Sequence, residues 1–248
     1  MPDPLMAGLV LFIAFLYASV GFGGGSGYLA VMSFFDIAAP IAASTALVLN
    51  IAVSGVAFIN YTRHGHLRTQ LLWPFVIGSI PAAFLGGILP LGQLAYHVLL
   101  NSVLLYMGLL LLFVNNKKSE ERPVKPPSWP LAFIAGIVLG MLSGMLGIGG
   151  GIFLSPLILV AGWGMPKQAA ASAAGFILLN SISGLAGRAS GGTLIFGSFG
   201  GVLVVLGILG GLAGSLLGVR YLSGRAIRRL LGIVLLTAVA RFLWAYFG

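Results

Sequence analysis

The chain has no cysteine. That excludes a disulfide framework, a thiolate nucleophile and a thiolate metal site. Carboxylates are almost as scarce: Asp3, Asp36, Glu120 and Glu121 are the four acidic residues, and none lies inside a long apolar run. A proton relay through buried acids therefore has no residues to use. There are no paired carboxylates, no metal-ligand cluster and no Ser–His–Asp order in one compartment, so the chain does not read as an enzyme. No cofactor is implied either. The chain has no G-x-x-x-x-G-K-[ST] loop, and no register of its glycine-rich stretches gives G-x-G-x-x-G ahead of a downstream carboxylate.

Charged residues make up 7% of the chain, against about 25% in soluble domains. What fills the space is apolar: 59% of residues are hydrophobic and the mean hydropathy is +1.09. Runs long enough to span hydrocarbon recur along the chain, so it reads as an all-α, polytopic membrane protein in contact with the lipid bilayer. The net charge of +9 does not indicate nucleic acid, because the cations sit in short loops between apolar segments rather than on a wet polar face. Met1-Pro2-Asp3-Pro4 lacks the basic start of a cleaved signal peptide, so the first apolar segment is expected to be retained.

Apolar segments fall near 5–22, 41–60, 71–90 and 95–114, then 131–148, 168–187, 196–218 and 228–247. Two shorter pieces near 28–35 and 152–161 are too short to span and read as half-helices. Between the two sets lies 115–130, with Lys117, Lys118, Glu120, Glu121, Arg122 and Lys125 followed by Pro126, Pro127 and Pro130. Prolines rule out a spanning helix there. The expected organisation is a first transmembrane repeat over 1–114, a basic proline-rich cytoplasmic linker over 115–130, and a second repeat over 131–248.

The repeat is marked by a glycine turn found twice. Gly21-Phe22-Gly23-Gly24-Gly25-Ser26-Gly27 and Gly147-Ile148-Gly149-Gly150-Gly151-Ile152 each end an apolar run, and Pro40 follows the first at the interval at which Pro166 follows the second. In a chain this apolar, a duplicated helix break points to a transporter's binding site. Glycine permits the unusual dihedrals and removes the side chain that would block a ligand. The N–H groups of the following half-helix carry partial positive charge and can hold an anion without a cationic side chain. A plain packing hinge is the competing reading.

Small residues also recur every four positions. Gly136, Gly140 and Gly144 are matched in repeat one by Ala14 and Ala18, and Gly210, Gly214 and Gly218 by Ala82 and Gly86. Such ladders let helices approach closely in lipid. They read as packing rather than as sites, and would also allow a homodimer.

Topology follows from the cations. If each broken segment crosses once, Arg63, Arg68, Lys117, Lys118, Arg122, Lys125, Arg188 and Arg241 lie inside and five others outside. If each break instead re-enters, the repeats are inverted and only Arg188 and Arg241 lie outside. The positive-inside bias favours the second arrangement.

After each proline comes a helix dotted with polar residues: Ser44, Thr45, Asn50 and Ser54 in one, Ser172, Asn180, Ser181 and Ser183 in the other. Asn50 and Asn180 either donate to a substrate or bond neighbouring helices. Arg188 can attract an oxyanion at a vestibule; the plainer alternative is a cation snorkelling from a helix end. His64 and His66 sit in a basic loop with no third ligand nearby, against a metal site. The candidate substrate residues are Gly23, Gly24, Gly25, Ser26, Thr45, Asn50, Gly149, Gly150, Gly151, Ser172, Asn180 and Arg188.

The two glycine turns, with Pro40 through Thr45, Ser155-Pro156 and Pro166 through Ser172, resemble the TauE/SafE family of sulfite and organosulfonate exporters over nearly the whole chain. The resemblance implies transport of a small sulfur-containing anion (sulfite, sulfoacetate or a related sulfonate) across a bacterial inner membrane. Repeat one departs from it, with Leu29-Ala30 in place of Ser155-Pro156, which implies less symmetric binding. An anion channel, or a carrier of another small oxyanion or metabolite, is the alternative.

Overall fold

The structure, a computed structural model, describes residues 2–89, 91–113, 127–198 and 200–220, with residues 233, 235–237, 239, 240, 243 and 244. Regular structure among them is helical: α1 Pro4–Ala18, α2 Gly25–Phe34, α3 Ala39–Arg63, α4 Trp73–Ile88, α5 Gln93–Phe113, α6 Trp129–Leu146, α7 Gly151–Val160, α8 Pro166–Ser190 and α9 Gly200–Arg220, with a 3-10 turn at Thr69–Leu71. Helices α3, α6, α8 and α9 are long and apolar enough to cross a membrane, and α1, α4 and α5 contribute shorter apolar stretches. Most of the expected segment 228–247 and most of the linker lie outside the described residues.

The two expected half-helices are α2 and α7. Each begins at a left-handed glycine, Gly24 at φ 99° and Gly150 at φ 73°. The matched prolines both open 25-residue helices, α3 and α8. Proline suits that first turn because its missing N–H would be unpaired there in any case. The same rule moves the linker's edge: Pro130 falls in the first turn of α6 rather than before it. The helix expected from 196 begins at Gly200.

The glycine ladders seat α6 on α4 and α9 on α1. Gly136, Gly140 and Gly144 of α6 lie on the carbonyls of Phe75, Ser79 and Ala83 of α4, and Gly78 and Gly86 of α4 lie on Phe133 and Met141 in return. Gly210, Gly214 and Gly218 of α9 lie on the carbonyls of Leu11, Phe15 and Ser19 of α1. A Cβ at any of these glycines would overlap backbone. This is close packing of the kind that holds helices together where lipid replaces water. The outer surface is apolar: Leu5, Phe12, Ile77, Leu105, Ile134, Val205 and Leu209 are exposed.

The ascending order of those contacts makes α1 run with α9, and α4 with α6. Helices α3 and α8 run past each other in opposite directions, with Leu47 by Gly184, Gly55 by Leu178 and Phe58 by Gly175. The half-helices turn back: Ser26 meets Tyr17 and Gly27 meets Ile13, so α2 returns along α1. Likewise α7 returns along α6, with Gly150 by Ser143 and Leu139, and with Pro156 and Leu157 beside Ala135. One end of the bundle gathers Arg63, His64, His66 and Lys167; the other gathers the start of α3 and the end of α8.

Candidate substrate site at the paired helix breaks

The two glycine breaks meet at the middle of the bundle, between α3 and α8. Gly25 stands against the carbonyl of Ile148, in the other break. The Asn50 carboxamide lies between them. Its Oδ1 is 2.8 Å from where a Cβ of Gly23 would stand, and its Nδ2 is 2.9 Å from the corresponding point at Gly149. Asn50 Nδ2 also donates to the Gly147 carbonyl at 3.3 Å. A residue of α3 thus holds the second break. Ile177 of α8 closes over Gly23, Gly149 and Gly151 from the other side.

Neither half-helix has a side-chain cap. The first intrahelical bonds run from Tyr28 N–H to Gly24 O at 2.8 Å and from Phe153 N–H to Gly150 O at 3.1 Å; the N–H groups of Gly25, Ser26 and Gly27 and of Gly151 and Ile152 precede them. Gly24 carries the Tyr28 ring over it, and Gly150 the Phe176 ring. A group of fully buried polar atoms has no hydrogen-bond partner among the described residues: Tyr28 Oη, Thr45 Oγ1, Asn50 Oδ1, Ser143 Oγ, Ser172 Oγ, Asn180 Oδ1 and Ser181 Oγ. Leaving a buried polar group unpaired costs about 1–3 kcal/mol each. Those that lie against the break glycines, on Tyr28, Asn50, Ser143 and Ser181, therefore mark a place where a ligand or water belongs.

The candidate residues are not all equal. Gly23, Gly25, Gly149 and Gly151 line the contact of the breaks, and Gly24 and Gly150 cap the half-helices. Ser26 is already engaged, its hydroxyl 3.0 Å from Tyr17 Oη. Asn180 is fully buried but donates to Phe176 O of its own helix at 2.8 Å, so its amide serves α8 and leaves the carbonyl oxygen free. Thr45 and Ser172 lie nearer the proline ends of α3 and α8, buried with unpartnered hydroxyls. Ser181, whose hydroxyl lies 3.2 Å from the Cβ point of Gly149, joins the centre. It follows Asn180 directly, and sequence alone had no means of choosing between them.

The breaks are shut in this conformation. Residues 21–32 and 146–152 are buried apart from the partly exposed Phe153 that follows, and the breaks press on each other rather than on an open space. The centre is a closed polar junction, bounded by α2, α7, Asn50 of α3 and Ile177 of α8.

Arg188 departs from the snorkelling alternative. It is 6% exposed, turned inward, and its Nη2 donates to Met145 O at 2.8 Å and Gly144 O at 3.4 Å, in the last turn of α6 ahead of the second break. A helix C-terminus carries partial negative charge, which favours a cation there. At the other end of the bundle, Lys167 Nζ donates to Val219 O of α9 at 2.7 Å in the same manner. His64 Nδ1 lies 2.8 Å from Asn60 O, and no group of metal-ligating side chains occurs among the described residues.

An all-α bundle with two half-helices meeting at a buried polar centre defines the class of multi-pass membrane transport proteins. The family model for the sulfite exporter TauE/SafE matches residues 6–242. The chain belongs to the TauE/SafE family. It is similar to a probable membrane transporter protein, y4hK, of Sinorhizobium fredii (strain NBRC 101917 / NGR234), at 34% identity over 234 residues and 94% of each chain. No solved structure matches. The family supports a membrane transport role for a multi-pass membrane protein.

Proposed function

We propose that the chain is a secondary carrier that exports a small sulfur-containing anion, sulfite, sulfoacetate or a related sulfonate, across the bacterial inner membrane. The observation that carries this reading is the meeting of the two glycine breaks around Asn50, with unpartnered buried hydroxyls beside them. The N-termini of α2 and α7 supply N–H groups with partial positive charge. The hydroxyls of Ser181, Ser143, Tyr28, Thr45 and Ser172 can each donate to an oxyanion. Asn50 and Asn180 each retain a second amide N–H for the same purpose.

The fold is two inverted repeats with re-entrant half-helices. Supporting this are the opposed directions of α3 and α8, the matched pairing of α1 with α9 and of α6 with α4, and the return of each half-helix along its neighbour. Arg63, Arg68, Lys167 and Arg220 gather at one end of the bundle, which the positive-inside bias makes cytoplasmic. The membrane potential then favours exit of an anion by about 2.3 kcal/mol per charge per 100 mV. No buried carboxylate is needed to couple it.

The test is transport in proteoliposomes and inside-out vesicles loaded with labelled sulfite, sulfoacetate or methanesulfonate. A carrier gives saturable flux and counterflow between these anions. Flux without saturation indicates a channel. No flux of any sulfur oxyanion ends the substrate assignment.

A further inference from the structure

We infer that the cavity at the end of α8 is a receiving subsite for a small sulfonate or sulfite anion on the outer face, with Arg188 as its cation. The cavity has a volume of about 360 Å³ and is lined by Ala38, Ala39 and Pro40, by Leu89 and Leu91, and by Tyr96, Met145, Arg188 and Thr193. This inference rests on the anion-carrier reading and adds to it a second place where the anion is held, apart from the breaks.

Three observations carry it. Arg188 is buried, and its Nε has no partner among the described residues, so part of its hydrogen-bonding capacity is unused. The same cavity receives the start of α3, whose N-cap Ala38 offers no side-chain cap. Helix-start amides and a guanidinium in one small cavity are both attractive to oxyanions.

The third observation comes from repeat one. Ser19 and Met145 stand at matched places, two residues before Gly21 and Gly147. Met145 O is held by Arg188, whereas Ser19 O is held at 3.0 Å by the phenol of Tyr61. Aligned on Pro40 and Pro166, Tyr61 and Arg188 fall within one position of each other. Tying down that turn therefore does not require a charge. The charge in repeat two is surplus to the structural task, and it faces a cavity.

The absence of native cysteine allows a direct test. Ala38→Cys places a single thiol at the exposed mouth of the cavity. In nanodiscs of zwitterionic lipid, a sulfonate-bearing methanethiosulfonate should modify it about tenfold faster than a trimethylammonium analogue, a difference expected from a charge-assisted contact. Methanesulfonate should protect the thiol. Arg188→Gln should abolish both the preference and the protection, Arg188→Lys should keep them in weakened form, and Tyr61→Phe should leave them unchanged. Equal rates for the two reagents, or protection that survives in folded Arg188→Gln protein, overturns the subsite. If Arg188→Gln does not fold, the wild-type reagent preference and the Arg188→Lys series decide alone. Parallel flux measurements separate the two readings. Protection without flux leaves the subsite standing and removes the carrier assignment, and flux without protection does the reverse.

Discussion

The two glycine breaks meet one structural problem with different chemistry. At each, the last turn before the break must be anchored, because the chain leaves helical geometry just beyond it. At the first break the anchor is Tyr61 on Ser19, a neutral donor 2% exposed. At the second break the anchors are Arg188 on Met145 and Gly144, with Tyr96 Oη donating to Leu146 O at 3.3 Å. The breaks themselves differ in the same direction. Asn50 reaches across to the second break, while the side chain at the position of α8 matched to Asn50 is Phe176, which covers Gly150 instead. The second break thus has more polar anchors, one of them charged and beside a cavity. The lesson is that two like breaks can be anchored by unlike groups, and the groups added at one of them decide what lies beside it.

The largest effect should come from filling the breaks. Valine at Gly24 or Gly150 must adopt a left-handed backbone, costing roughly 1–2 kcal/mol, and its Cβ meets the ring of Tyr28 or of Phe176. Overpacking adds about 1–3 kcal/mol. Each variant should lose transport altogether in proteoliposomes. If only Gly150→Val does so, the breaks are functionally unequal and the second alone carries the substrate.

Asparagine substitutions should separate the repeats further. Asn50→Ala removes a bond from α3 to the second break and leaves Gly147 O buried without its donor, a loss of about 1–3 kcal/mol. Asn180→Ala removes only a bond within α8, to a carbonyl already engaged in the helix, and should cost about 1 kcal/mol or less. Thermal unfolding in detergent should rank Asn50→Ala below Asn180→Ala, with flux falling in the same order. Equal effects would mean that Asn50 is not a bridge. Tyr61→Phe removes one neutral hydrogen bond, to Ser19 O, and should cost about 1 kcal/mol, with no change in the anion concentration at half-maximal flux.

Much of this arrangement was legible in the sequence because it is written in local terms. The glycine turns gave α2 and α7 their starts, and the prolines gave α3 and α8 theirs. The four-residue ladders marked the helices that pack closely. What they packed against was not legible, since spacing along a helix defines a face but not its partner. The contact of Gly144 with Ala83 and that of Gly214 with Phe15 join residues far apart in the chain. The inward turn of Arg188 was not legible for a related reason. A cation at a helix end usually reaches outward, and the inward alternative depends on carbonyls that another helix presents. The choice between Asn180 and Ser181 depended on the rotation of α8, which its small residues on all sides leave unmarked.

The smallest effect expected concerns the end of the bundle opposite the cavity. His66 follows α3, its ring centroid 6.2 Å from that of Tyr61, the repeat-one anchor. Partial burial, and then the positive charge of Lys167 and of His64, hold its pKa below the usual histidine value. The folded state therefore binds this proton less readily than the unfolded chain does. His66 contributes stability above the unfolded pKa of about 6.5, and the contribution falls away as acidification proceeds through the depressed folded value. His66→Gln should flatten the acid limb of a thermal-unfolding series below about pH 6.5 without altering flux at neutral pH. Because Tyr61 lies beside this ring and Arg188 lies at the far end of the bundle, the acid limb should respond to Tyr61→Phe and not to Arg188→Lys. A change in that limb with Arg188→Lys would mean that the two anchors are coupled through α3 and α8 rather than acting each on its own break.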